Sequence, residues 1–247
     1  MKLEKKSPVA NKTMNVLLEN NEYDWGTMSL IDFLNEGNIP SSYKDFFIAN
    51  KEQLELISDE LQQVNNTIYP PIQQVFRALY LTPLHKIKAV IIGMDPYHNG
   101  SAVGLAFSVK AGNAINPSLR SIYKELKNEE IDVVKDGNLS RWAHNGVLLL
   151  NTALTVEKGT PDSHTCLWWQ FTKNLISYIS EQRKNGIHWI LLGKNAHELE
   201  NTITTKDNIH CTSHPMPLAA NRKCGIHPPF FGSNIFRSIP GIDWTII

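Results

Sequence analysis

Four short apolar runs constrain this chain more than any other feature: "KAVIIGM" (88–94), "GVLLLN" (146–151), "IHWILLG" (187–193) and the weaker "NIHCTSHP" (208–215). Each has the length of a strand, and the first three are almost unbroken in apolar residues. Strands covered on both faces of a parallel sheet read this way. Helical segments separate them. "NPSLRSIYKELKNEE" opens with Asn116 as an expected cap and Pro117 at the first helical position, and Leu119, Ile122, Tyr123 and Leu126 mark one face. "SHTCLWWQFTKNLISYISEQRK" repeats the spacing with Trp168, Phe171, Leu175 and Ile179, so Trp168 and Trp169 are expected in the core. "KNAHELENTI" is a shorter helical segment, and upstream "KEQLELISDELQQV" places Leu54, Ile57, Leu61 and Val64 on one helical face.

This alternation predicts an α/β fold: a single domain with a central, mostly parallel four-stranded sheet flanked by helices on both faces. The expected boundaries are a flexible N-terminal arm over residues 1–25, polar and without period, and the α/β domain over residues 26–247. Lys5 and Lys6 fall in the arm and read as solvated.

Polar residues punctuate the C-terminal ends of all four runs: "DPYH" (95–98), Asn151, "GKN" (193–195) and "SHPMPL" (213–218). Taken singly, each reads as a turn or a cap, since Asp-Pro and Asn-Gly are turn dipeptides. Together they lie on the one sheet edge where open α/β sheets hold ligands.

Composition narrows the class of partner. Of 247 residues, 42% are apolar and 19% charged, and no run of about 18 apolar residues appears, so no membrane span is expected. The N-terminus lacks an apolar signal core. Cys166, Cys211 and Cys224 are too few and too scattered for a disulfide framework or a zinc knuckle, so an intracellular, reducing compartment is expected. Lysine plus arginine (24) balance aspartate plus glutamate (24), which gives a net charge of +0. A neutral chain can still bind DNA through a local cluster of donors, but weak non-specific affinity and a shallow salt slope are expected.

The residues on the edge suggest a chemistry. Ser213 and His214 do not form a nucleophile–base pair, because neighbouring residues of a strand face opposite sides. The P-loop pattern and metal-ligand spacings are absent from the sequence. A carboxylate (Asp95) can activate water or stabilise a developing cation, and a histidine (His214) a developing anion. An amide (Asn151) can pair with a planar base edge, and aromatic rings (Tyr97, Phe107) can stack on it. This set suits cleavage of a bond between a sugar and a base.

The ordered motifs "GMDPYHNGSAVGLAFSV", "NPSLRSIYKEL", "GVLLLNTALTV" and "SHPMPL" resemble those of the family 1 uracil-DNA glycosylases, and the resemblance runs from about Tyr69 to the closing "IDW". It implies a monofunctional hydrolase that flips uracil out of DNA, cleaves its N-glycosidic bond and leaves an abasic site for base excision repair. Asp95 would position water and stabilise the cationic sugar, and His214 would donate to the departing uracil anion. Asn151 would pair with the uracil edge, Met94 would contribute backbone, Phe107 would stack, and Tyr97 would exclude a 5-methyl group. Leu218 would fill the vacated stack. Ser118, Gly193, Lys194, Pro215, Met216 and Arg222 would contact the DNA. His98 would orient the loop.

Further expectations follow from the resemblance. The implied partner is uracil-containing DNA, single- or double-stranded, with a proteinaceous inhibitor or a replication partner as further binders. Action as a monomer away from membranes is implied, wherever DNA is held (prokaryotic cytoplasm or a nucleus). Metals and organic cofactors are not required, so EDTA would leave the reaction intact.

The chain departs from the family pattern at several places. Met94 replaces the usual glutamine, and Val103 stands in a shortened loop where histidine is common. Met216 replaces a serine, and Lys194 replaces the serine after Gly193. "NRKCGIHPPFFG" (221–232) is longer than the usual link and carries Arg222, Lys223 and His227. These changes bear on DNA affinity more than on the chemistry. They keep open a second reading, a module that mainly tethers DNA, and a third, an inhibitor-binding remnant.

Overall fold

The computed structural model describes residues 23–133, 136–184, 186–204 and 208–245. The N-terminal arm therefore lies almost wholly outside the described residues. At its expected end, the Tyr23 ring packs edge-on against Phe33 and the Trp25 indole donates to the Pro70 carbonyl at 3.0 Å. These contacts attach Tyr23 and Trp25 to the α/β domain.

Helices α1 (Leu30–Asn35), α2 (Lys44–Ala49) and α3 (Lys51–Gln62) come first. Ser29 caps α1, its hydroxyl accepting from the Asp32 N–H at 3.1 Å. A short strand β1 (Ile68–Tyr69) and helix α4 (Arg77–Leu81) lead to β2 (Ala89–Gly93). Then follow α5 (Pro117–Asn128), α6 (Ser140–His144), β3 (Val147–Asn151) and the two-residue β4 (Val156–Glu157). The chain continues through α7 (Thr165–Gln182), β5 (His188–Leu192), α8 (Lys194–His197) and β6 (Ile209–Thr212).

The main sheet has the order β3-β2-β5-β6 and every pairing is parallel. Every residue of β2 is buried, so both faces of the sheet centre are covered, as its unbroken apolar run requires. β6 is an edge strand and three of its four residues are only half-buried, which explains its weaker apolar signal. Registers Gly93↔Asn151 and Leu192↔Thr212 bring the ends of all four strands to one edge.

Helix α7 packs through fully buried Trp168, Phe171, Leu175 and Ile179, while Trp169 is half-buried against the same core. Trp168 also donates to the Thr155 hydroxyl at 2.7 Å, a bond that the apolar spacing did not foretell. Asn116 occupies the cap position of α5 but makes no capping bond; its amide donates instead to Ser101 Oγ at 3.0 Å. None of the described helices is long and apolar enough to cross a membrane.

Candidate active site

A cavity of about 390 Å³ opens at the C-terminal edge of the sheet. Asp95, Tyr97, Phe107, Asn151 and His214 all line it, with Met94, His98, Ser118, Gly193, Lys194 and Met216. Residues far apart in sequence thus converge because parallel strands deliver all their C-terminal ends to one side.

Asp95 follows β2 directly. Its Oδ2 accepts the Asp162 backbone N–H at 2.7 Å, from the turn before α7. Burial raises the Asp95 pKa above its ordinary value; the Asp162 hydrogen bond and nearby His98 oppose the rise, and the Asp162 charge adds to it. Sequence reasoning missed Asp162. Its hydrogen bond to Asp95 comes from the backbone, held at a φ of +66°, so no side-chain pattern points to it.

The loop around Asp95 is pinned from below. The Met94 carbonyl accepts from Ala153 N at 3.0 Å and from Thr152 Oγ1 at 2.6 Å, and Gly93 accepts from Thr152 N at 3.1 Å. Only the Met94 backbone is engaged in these bonds, so the loop stands without a polar side chain at that position.

Asn151 ends β3 with its side chain against Gly93. A Cβ on Gly93 would lie 2.6 Å from Asn151 Oδ1 and 3.2 Å from the Phe107 ring. The missing side chain therefore lets the amide and the ring approach each other across the strand end. Phe107 sits at a φ of +64°, a costly conformation for a bulky residue, and its ring centroid is 5.8 Å from that of His214. Tyr97 donates its hydroxyl to the Phe107 carbonyl at 3.1 Å, and the Asn116 side chain also hydrogen-bonds that hydroxyl. The tyrosine ring is thereby fixed at the cavity wall.

His214 follows β6. Its Nδ1 accepts the Met216 backbone N–H at 3.1 Å. Burial lowers its pKa to about 4. The imidazole is therefore neutral at pH 7, and its proton is on Nε2, a donor available to a buried anion. Ser213, by contrast, is built into the fold, accepting from Phe230 N and donating to the Ala219 carbonyl.

The family model of the uracil DNA glycosylase superfamily matches residues 80–232. A uracil-DNA glycosylase of Azotobacter vinelandii is 43% identical over 206 residues, covering 79% of this chain and 88% of that protein. The chain belongs to the uracil-DNA glycosylase superfamily. A uracil-DNA glycosylase of Alkaliphilus metalliredigens is 45% identical, covering 73% of this chain and 82% of that protein. The mimivirus uracil-DNA glycosylase shares the fold, with a TM-score of 0.74 at 22% identity over 96% of this chain and 90% of that one. A tyrosine variant of the mimivirus protein, in complex with UGI, gives 0.71 at 25% identity, covering 87% and 90%.

Around this cavity the remaining expected residues divide. Ser118 and Gly193 border the cavity, and Gly193 has a φ of +91° with the His214 Cβ where its own Cβ would sit. Lys194 and Met216 are exposed at the rim. Leu218 stands outside the cavity, 75% exposed, and Arg222 is likewise exposed outside it. Pro215 is buried and does not line the cavity. His98 is exposed, and its carbonyl accepts from Gly159 N at 3.0 Å.

Proposed function

We propose that this protein is a family 1 uracil-DNA glycosylase that hydrolyses the bond between uracil and deoxyribose in DNA, the opening step of base excision repair. The observation that carries the reading is the convergence of Asp95, Asn151 and His214 on one cavity walled by Phe107 and Tyr97.

In this reading a flipped uracil stacks on Phe107 and pairs with the Asn151 amide. As the N-glycosidic bond lengthens, its electron pair moves onto uracil and is stabilised by the Nε2–H of His214. The sugar becomes cationic and is stabilised by the Asp95 carboxylate, which also orients the attacking water. Water oxygen joins the sugar, and the water proton leaves through Asp95. Donors aimed at charge that develops only in the transition state supply the rate. Cytosine presents the opposite donor pattern to Asn151 and leaves buried groups unpaired, so it is rejected.

Ser118, Gly193, Lys194, Met216, Leu218 and Arg222 form the DNA-facing rim in this proposal, with buried Pro215 shaping the loop that carries Met216 and Leu218 and with the protein acting as a monomer. The mimivirus protein's complex with UGI extends the proposal to a proteinaceous inhibitor docking on the same rim.

The test is uracil release from a single-uracil oligonucleotide in EDTA, with thymine and cytosine controls, beside Asp95→Asn and His214→Leu. Uracil-only release that falls at least about 100-fold in each variant supports the assignment. Absence of release from folded protein that still retains the oligonucleotide overturns it and leaves a DNA-tethering module.

A further inference from the structure

The loop 221–232 that departs from the family pattern forms a tight hairpin: Cys224 and His227 exchange both backbone hydrogen bonds, at 3.1 Å each, around Gly225 at a φ of +62°. Its base is tied to the active-site strand end, since Ser213 N donates to the Pro228 carbonyl at 3.0 Å. The hairpin turns His227 back onto the sheet edge, where its ring lies 4.1 Å from that of His197. Cys211, from β6, completes a cluster in which the ligand atoms of all three side chains lie within 4.8 Å of one another. Glu200 adds a carboxylate 3.9 Å from the Cys211 sulfur.

We propose that His197, Cys211 and His227 form a structural zinc site that fastens the hairpin to the sheet edge beside the uracil pocket, with the fourth position open to water or to the Glu200 carboxylate next to Cys211. Two imidazoles and a thiolate make a donor set that suits tetrahedral zinc. His197 Nε2 lies 2.8 Å from the Thr212 carbonyl, which can only accept, so the proton sits on Nε2. A backbone carbonyl bonded to the second nitrogen is the usual support of a metal-binding histidine. Zinc bonds of 2.0–2.3 Å place tetrahedral ligands roughly 3.3–3.8 Å apart, so the cluster needs to close by about 1 Å. All three side chains are half-buried. Loading expels the Cys211 thiol proton, because the thiolate is the ligand. Sequence spacing hid the site because its ligands come from a short helix, an edge strand and an added hairpin.

The test uses the full chain with the metal alone. The protein freed of metal by chelation and dialysis is titrated with Co²⁺, then Zn²⁺, and trypsin cleavage after Arg222 and Lys223 is followed. Expected are one ion per chain, a cobalt–thiolate absorption band that zinc abolishes, and at least tenfold slower cleavage of the hairpin with zinc. Cys211→Ser should lose the band, and His227→Gln should lose the protection, while both release uracil without metal. Absence of the thiolate band from the folded wild-type protein, or cleavage equally fast with and without zinc, overturns the proposal.

Discussion

The backbone N–H of Met216 points at His214 Nδ1 from 3.1 Å and fixes which ring nitrogen carries the proton. Any backbone amide could do this, so the replacement of the family's serine by Met216 leaves the tautomer intact. Burial adds a pH signature, since the folded pKa is about 4 and the ordinary value 6.5. Above pH 6.5 both folded and unfolded states hold the imidazole neutral. Between 6.5 and 4 the unfolded chain takes up a proton that the folded chain refuses, so stability falls as pH falls. The loss saturates at about 3 kcal/mol below pH 4. Urea unfolding from pH 7 to 4 should show this slope in the wild type and a shallower one in His214→Leu. Equal slopes would contradict a neutral buried imidazole.

Gly93 meets Asn151 at the strand ends, and the prediction there separates function from folding. Its backbone angle is open to alanine, but the added Cβ falls 2.6 Å from Asn151 Oδ1, the mobile end of a side chain. The amide should swing aside rather than the sheet yield. Gly93→Ala is expected to lower kcat/KM for uracil at least about tenfold while costing the fold only about 1–3 kcal/mol. Steady-state kinetics beside thermal melting checks it, and unchanged kinetics would remove Asn151 from the uracil edge.

Tyr97 closes the cavity with its hydroxyl held by the Phe107 carbonyl and the Asn116 side chain. Tyr97→Ala should open space for a 5-methyl group and give measurable thymine release from a thymine-containing oligonucleotide, where the wild type gives none. Uracil release should fall less than it does in Asp95→Asn. A variant that stays blind to thymine would place the methyl-excluding wall elsewhere.

The sheet was legible because its central strands are buried on both sides, and only burial on both faces favours an unbroken apolar run of strand length. β6 was less legible because Ile209, His210 and Cys211 are only half-buried, whereas β3, the other edge strand, is buried and keeps its unbroken run. Asp95, Asn151 and His214 could be found because each punctuates a strand end and motif order joins them. Asp162 could not, since it contributes a backbone N–H that any residue would offer. Asn116 misled for a related reason: its position is a cap's, but Ser101 and Tyr97 compete for its amide, and that competition exists only in three dimensions. The meeting of His197, Cys211 and His227 was equally hidden, because a hairpin had to fold back before the third side chain arrived.

Leu218 stands 75% exposed on the loop after His214, an apolar side chain with little to hold it in the fold. Removing it should therefore leave the melting temperature unchanged within a degree or two. Its expected work is done on DNA, filling the gap left when a base leaves the stack and offsetting an unstacking cost of a few kcal/mol. That cost is smaller in single strands. Leu218→Ala should thus lower kcat/KM on duplex DNA by about tenfold or more, and on single-stranded DNA by clearly less. Measuring both substrates with one preparation gives the ratio directly, and an equal fall on the two would mean that Leu218 contacts DNA without acting as a wedge.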